Sequence, residues 1–261
     1  MKKFLKKILL LNKKEGETPL EALQAFRAKN KKYKDAKMTY AGRLDPLASG
    51  LLLVLAGDAV KEKEKYLKLS KEYKFSVLFG FTTDTYDILG KIQHSNILTN
   101  IGMKELEKKI KQNLKFFTGK FMQSYPMYSS RTVKGKPLFA YARAGKFVES
   151  PKHEVEVKSL KFFCIKKISA RKFLENIERR VVKVKGDFRQ KEILKIWRQK
   201  LKSQQGESLL ERKFFIADFN IKCSSGTYVR GIAHSLGQKL NIPALAFSIK
   251  RTKIGKWEQS E

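Results

Sequence analysis

The chain has 261 residues, of which 57 are Lys or Arg and 25 are Asp or Glu, so its formal charge at pH 7 is +32. Hydrophobic residues make up 42% of it, a globular composition that argues against long-range disorder. A charge excess of this size repels itself in the compact state and indicates a polyanionic partner, most simply nucleic acid. A generally lysine-rich proteome is the alternative explanation.

The cysteines and the apolar runs bear on the compartment. Cys164 and Cys223 form no Cys-x-x-Cys motif, which predicts buried thiols in a reducing cytosol. Residues 1–12 resemble a signal peptide superficially, but their apolar run is short, ends in lysines and lacks a small-residue cleavage site. The apolar run at 51–56 has the length of a strand and not of a membrane span. We expect a soluble cytoplasmic protein.

Helices and strands are mixed in the first half of the chain. Thr18, Pro19 and Glu21 form a capping box with proline at the first helical position, so a helix begins there and ends near Lys29. The patterns that follow predict, in order, a basic connector at 30–37, a loop at 39–50, a buried strand at 51–56, a short helix capped by Asp58 and ending near Ser70, a strand at 72–81, a polar loop at 82–90, and an amphipathic helix from Met103 stopped by Gly119.

The second half continues the mixture. We expect an irregular segment at 119–135, a short helix at 138–144, a strand at 155–165, a mostly helical basic segment at 170–206, a strand at 214–223 and a helix at 225–240. No repeat is visible, and strands and helices do not alternate in a regular βαβ rhythm. The sequence therefore predicts an α+β fold.

Several kinds of chemistry lack their motifs. His94, His153 and His234 lie far apart, and there is no His-Glu-x-x-His and no cysteine set with zinc spacing. A P-loop, a G-x-G-x-x-G loop and a G-x-S-x-G turn are also absent from the sequence. We expect neither a metal nor a small-molecule cofactor.

Three polar positions remain as candidates. Asp45 lies in a Gly-rich loop, residues 42–50, that leads directly into the strand at 51–56, and a rigid element positions a reacting group better than a free loop does. The alternative is an ordinary Asp-Pro turn. Arg230 lies off the apolar stripe of its predicted helix, where a solvated arginine is the alternative. Tyr73 lies on an alternating strand, where its alternative role is core packing.

Five ordered blocks carry a family resemblance. Residues 39–52, Thr-Tyr-Ala-Gly-Arg-Leu-Asp-Pro-Leu-Ala-Ser-Gly-Leu-Leu, resemble the catalytic-aspartate motif of the tRNA pseudouridine synthases of the TruB/dyskerin type, which act on the T-loop uridine at tRNA position 55. Four further segments resemble the later blocks of the same family: residues 71–74, 82–90, 123–145, and 224–236 followed by Arg251 and Gly255.

The resemblance implies one catalytic domain over residues 1–261, with a mixed, largely antiparallel central sheet flanked by helices. It implies an isomerase that flips the uridine, breaks its N1–C1′ bond and joins C5 to C1′, with no cofactor. The implied partner is the T-arm of tRNA, and we expect a monomer. A non-catalytic tRNA-binding or tRNA-folding factor on the same scaffold is the alternative, and an enzyme directed to ribosomal RNA by a guide RNA is a further one.

The resemblance also implies residue roles. Asp45 would be the essential carboxylate, acting as nucleophile or as general base. Arg230 would pair with it, and Tyr73 would stack on the flipped uracil. Further residues that it places at the substrate are Tyr228, Ile249, Tyr40, Arg43, Arg143 and Lys13.

The chain also departs from the family pattern. Tyr40 stands where a histidine often precedes the catalytic loop, and Lys14 stands where a proline is usual. Few residues follow Gly255, so we expect no C-terminal PUA domain. Residues 168–212 are expected to form a basic helical insertion, either a solvated hairpin or a grip on tRNA phosphates.

Overall fold

The computed structural model describes residues 7–96, 101–202 and 212–258. The helices within these ranges are α1 (Pro19–Lys29), α2 (Lys63–Leu67), α3 (Met103–Asn113), α4 (Leu138–Arg143), α5 (Ala170–Val181), α6 (Gln190–Lys202) and α7 (Val229–Leu240). The strands are β1 (Ile8–Lys13), β2 (Met38–Ala41), β3 (Ala48–Ala56), β4 (Lys71–Phe79), β5 (Phe81–Thr83), β6 (Ile92–Ser95), β7 (Gly119–Ser124), β8 (Thr132–Val133), β9 (Lys136–Pro137), β10 (Lys152–Ser169), β11 (Lys213–Cys223), β12 (Ala244–Ile254) and β13 (Trp257–Glu258).

A nine-stranded sheet organises the described part of the chain. Its order is β1-β3-β12-β4-β11-β10-β7, with β2 added to β3 and β13 added to β12. The pairing of β3 with β12 is parallel, whereas the other pairings of this sheet are antiparallel. The predicted α+β class with a mixed, largely antiparallel sheet is confirmed.

Helices cover each face of the sheet. Successive side chains of a strand point to opposite faces, so neighbouring residues of one strand pack in different cores. On one face, Val77 of β4 packs in a core that α3 and α7 complete with Ile110 and Leu236. On the other face, neighbouring Leu78 belongs to a second core with α5 and α6. The central strands are therefore buried on both sides and can hold functional groups rigidly at their ends.

Several predicted elements are confirmed and others are corrected. The capping box of α1 is present, and its bounds agree with the prediction. The loop expected at 39–50 is wrong in part, because β2 and the start of β3 occupy both of its ends. Asp58 is not a helix cap: the 3₁₀ turn at 57–62 follows Ala56 and has no side-chain cap. The segment at 119–135 is irregular only in part, since β7 opens it.

The basic segment after β10 is a helical hairpin that packs against the sheet. α5 and α6 each have one apolar face, and buried Phe173 and Trp197 contact Phe81 of β5. The hairpin is therefore part of the protein core along one side and solvated along the other. Residues 203–211 of the predicted insertion lie outside the described residues.

Candidate active site

The predicted catalytic loop, residues 42–47, joins β2 to β3 and presents Asp45. Hydrogen bonds hold the backbone of this loop, because Pro46 O accepts from Gly16 N at 2.9 Å and from Lys13 Nζ at 3.2 Å. Ala48 N also donates to Asp45 O at 3.0 Å. The Asp45 side chain is 37% exposed, so its carboxylate is accessible to solvent while its backbone is held in place.

Lys13 does not take the place at the substrate that the resemblance implied. It is fully buried, and its ammonium donates to the carbonyl oxygens of Lys14, Pro46 and Ala48. Burial lowers its pKa to about 8, against an opposing effect of nearby carboxylates that include Asp45. Lys13 therefore holds the predicted catalytic loop in place and is not part of the cavity wall around Asp45.

Arg251 fixes the same loop from the neighbouring strand. Its guanidinium is buried and donates to Leu51 O at 2.7 Å, Gly42 O at 3.2 Å and Arg43 O at 3.3 Å. Gly50 lets β12 come this close: a Cβ at Gly50 would lie 2.2 Å from Arg251 O. Lys13 of β1 and Arg251 of β12 thus hold the loop that carries Asp45 from the two strands that pair with β3.

Arg230 reaches Asp45 from the first turn of α7. Its Nε donates to Asp45 Oδ2 at 2.8 Å, its Nη1 to Thr85 O at 2.8 Å and its Nη2 to Tyr128 O at 2.9 Å. Only 3% of the side chain is exposed. Gln123 secures the turn before it, since its amide bonds both the N–H and the C=O of Tyr228. Arg230 is therefore a buried, fully directed partner of Asp45 and not a solvated helix arginine.

The Asp45–Arg230 pair lies in a cavity of about 640 Å³, a volume typical of small-ligand sites. Among the predicted site residues, those that line it are Tyr40, Arg43, Asp45, Tyr73, Arg143, Tyr228, Arg230 and Ile249. Tyr73 is 9% exposed, so its ring is largely covered but still forms part of the wall. Arg43 and Arg143 are exposed and lie where a polyanion could meet them.

Two residues of the cavity wall, the acidic Asp87 and the aromatic Tyr125, were not singled out from the sequence. Asp87 is held by Thr85 Oγ1 at 2.7 Å and by Leu89 N at 2.9 Å, and desolvation raises its pKa to about 6 although Arg230 opposes this. The Thr-x-Asp spacing at 85–87 could have indicated a fixed Asp87 side chain, since the side chains of such short motifs hydrogen-bond locally in turns. Tyr125 stacks on His153, with ring centroids 4.0 Å apart.

The site is suited to binding a flat base next to a charged oxygen. Tyr125 meets Tyr228 edge to face at 5.8 Å, which gives the cavity an aromatic side. Arg189, from the turn between α5 and α6, also lines the cavity, together with Phe188. Within the described ranges there is no group of three His, Cys, Asp or Glu residues arranged to hold a metal ion, and none of the helices there is long and apolar enough to span a membrane.

Comparison with known families identifies the family to which the chain belongs. The family model described as TruB family pseudouridylate synthase (N terminal domain) matches residues 29–175, more than half of the chain. The chain belongs to the TruB family of pseudouridylate synthases. The matched region contains Asp45, Tyr73 and Asp87, whereas Arg189 and Arg230 lie beyond it.

TruB relatives align with nearly all of this chain. tRNA pseudouridine synthase B of Endomicrobium trichonymphae is 32% identical over 248 residues, which are 95% of this chain and 84% of that protein. The enzyme of the same name from Wigglesworthia glossinidia brevipalpis is 31% identical over 253 residues. These are 97% of this chain and 61% of that protein, so the chain spans less than two thirds of this relative.

Solved structures show the same fold. A chain of the Cbf5-Nop10-Gar1 complex aligns with a TM-score of 0.56 at 18% identity, covering 97% of this chain and 50% of that one. The H/ACA RNP bound to a substrate RNA containing 2′-deoxyuridine aligns with a TM-score of 0.52. This TruB-family chain thus spans about half the length of the structural neighbours that it matches.

Proposed function

We propose that this protein is a tRNA pseudouridine synthase that isomerises the T-loop uridine at position 55 in the cytoplasm, acting as a monomer on the T-arm. The single observation that carries this proposal is the Asp45–Arg230 pair at 2.8 Å in a cavity lined by Tyr73 and Tyr228. Binding alone needs no carboxylate paired with a buried arginine beside an aromatic wall. The names of the TruB relatives support the substrate class.

Base recognition requires that the uridine leave its stack, which costs a few kcal/mol. Stacking of the uracil on the Tyr73 ring offsets this by about 1–3 kcal/mol. Tyr228 and Ile249 close the sides of the base site. Arg43 and Arg143 are exposed at the cavity and meet the phosphates of the RNA.

The reaction needs one ionised carboxylate. Asp45 either attacks C1′ or removes a sugar proton, and the N1–C1′ bond breaks with its electron pair going to the uracil, which leaves as a delocalised anion. The base turns within the cavity and C5 bonds to C1′; this breaks the Asp45–C1′ ester bond on the first route, and on the second route the proton held by Asp45 returns to the sugar. The C5 proton is then released to solvent, and N1 takes up a proton. Arg230 keeps the carboxylate oriented, because its planar fork is fixed by the carbonyl oxygens of Thr85 and Tyr128.

The test is Asp45→Asn, which keeps the size of the side chain and removes its charge. We expect tritium release from tRNA labelled at uridine C5 to fall to background while tRNA binding remains. Asp58→Asn is the matched control, because the Asp58 side chain is 79% exposed and lies outside the cavity. Undiminished release by Asp45→Asn would overturn the assignment. Binding without release by the wild-type protein would support the non-catalytic tRNA-binding factor instead.

A further inference from the structure

The turn between α5 and α6, residues 182–189, is part of the active-site wall. Phe188 and Arg189 line the cavity. The family-model match ends at residue 175, so this wall is built by a part of the chain that the family model does not describe. Asp187 of the same turn pairs with Arg143 of α4 at 3.5 Å, which ties the turn to a second cavity residue.

Arg189 makes two directed contacts across the cavity wall. Its Nη1 and Nη2 donate to the two carboxylate oxygens of Asp84 at 2.7 and 3.3 Å. Its guanidinium also lies 4.2 Å from the centre of the Tyr128 ring. The side chains of Arg189 and Asp84 are each 16% exposed, so this ion pair is well shielded from solvent. A partly buried, bidentate pair fixes geometry more firmly than a surface pair does.

Both contacts of Arg189 adjoin the groups that orient Arg230. Asp84 is followed by Thr85, whose carbonyl oxygen accepts from Arg230 Nη1 at 2.8 Å. The carbonyl oxygen of Tyr128 itself accepts from Arg230 Nη2 at 2.9 Å. The Arg189 guanidinium thus links the two segments whose carbonyl oxygens accept hydrogen bonds from the Arg230 guanidinium.

We propose that Arg189 is a positioning residue: it clamps Asp84 to Tyr128 and thereby fixes the two carbonyl oxygens that aim Arg230 at Asp45. This inference rests on the proposed function. It makes the α5–α6 hairpin a working part of the active site in addition to any contact with RNA.

Three variants test the clamp. Arg189→Ala removes it, Arg189→Lys keeps the charge but cannot bond both carboxylate oxygens in one plane, and Arg198→Ala is the control. Arg198 lies on the same hairpin in an exposed ion pair with Glu178, so the control removes the same charge outside the cavity. The measurements are the single-turnover rate at saturating tRNA, the tRNA Kd, and amide hydrogen exchange of residues 82–90 and 125–131 in the free protein.

We expect Arg189→Ala to lower the single-turnover rate by on the order of 10- to 100-fold, because small misplacements of reacting groups have effects of this size. The tRNA Kd should change little. Arg189→Lys should recover part of the rate. Hydrogen exchange of both segments should be faster in Arg189→Ala, while Arg198→Ala behaves like the wild type in all three measurements.

A wild-type rate and wild-type exchange in Arg189→Ala would overturn the inference. So would a weaker Kd with an unchanged rate at saturation, since Arg189 would then be an RNA contact. If Arg189→Ala does not fold, Arg189→Lys decides by the same measurements. Should the wild-type protein release no tritium, the proposed function fails, and the exchange measurement still decides whether Arg189 clamps the two segments.

Discussion

Asp45 and Arg230 are 185 positions apart in the chain, yet Arg230 Nε lies 2.8 Å from Asp45 Oδ2. The path between α7 and β12 explains the meeting. α7 has 12 residues and rises roughly 18 Å from its first turn to its end. β12 returns about the same distance by Ile249, which pairs with Ala48 at the start of β3. The first turn of α7 is thereby brought next to the loop that carries Asp45.

The three acceptors of Arg230 predict that lysine cannot replace it. A lysine ammonium is a point charge and cannot direct donors at Asp45, Thr85 O and Tyr128 O together. We expect Arg230→Lys to fold and bind tRNA but to lose on the order of 100-fold in single-turnover rate. Arg198→Lys, on the solvated side of α6, serves as the control. A rate for Arg230→Lys near that of the control would contradict a directional role for the guanidinium.

The candidate site could be predicted as far as local motifs reach. Asp45, Tyr73 and Arg230 lie in sequence blocks that resemble a known family, and the cavity brings them together. Arg189 could not be found, because it is one of many basic residues in a helical segment and its partners Asp84 and Tyr128 are distant in sequence. Lys13 was placed at the substrate by the family resemblance alone, whereas folding surrounds its ammonium with carbonyl oxygens, which no local motif reveals.

The fold shows the same limit. Strands with a clean alternation, such as β4, were predicted, and their residues lie on the expected faces. β12 was not predicted, because register shifts at 246–248 and 251–253 interrupt its two-residue period. β1 was not predicted either, since its apolar residues are flanked by lysines and its pairing with β3 is a tertiary contact.

The close approach of β3 to β12 predicts a strong effect of Gly50→Ala. Gly50 has φ of +103°, and an added Cβ would meet the backbone of Arg251 within 3 Å. We expect the free energy of unfolding in urea to fall by about 3 kcal/mol or more, from a strained backbone and a displaced strand.

The matched control for this change is Gly57→Ala. Gly57 also has positive φ, +60°, but no atom lies within 4 Å of an added Cβ. Its loss should be about 1 kcal/mol, the cost of the backbone conformation alone. Equal losses for the two variants would show that contact with β12 does not limit position 50.

Lys71 predicts a specific dependence of stability on pH. It is buried beside the cavity, with Nζ donating to Leu67 O at 2.6 Å, and desolvation, aided by nearby Arg251, lowers its pKa from 10.5 to about 8. Between pH 8 and 10.5 the unfolded chain therefore binds more protons at this site than the folded protein does. Lys71 therefore contributes a rise in the free energy of unfolding with pH in this window, because the cost of the buried charge, present below pH 8, is relieved as the ammonium deprotonates.

Lys71→Met removes this contribution. Between pH 8 and 9.5 the wild-type protein should gain about 1 kcal/mol more in free energy of unfolding than Lys71→Met does. Buried Lys13 contributes in the same direction in both proteins, so it cancels from the comparison. Lys68→Met, at an exposed position of the preceding turn, should follow the wild type. Urea unfolding at the two pH values measures the difference, and an equal gain in the wild type and Lys71→Met would mean that Lys71 stays charged in the folded protein throughout this range.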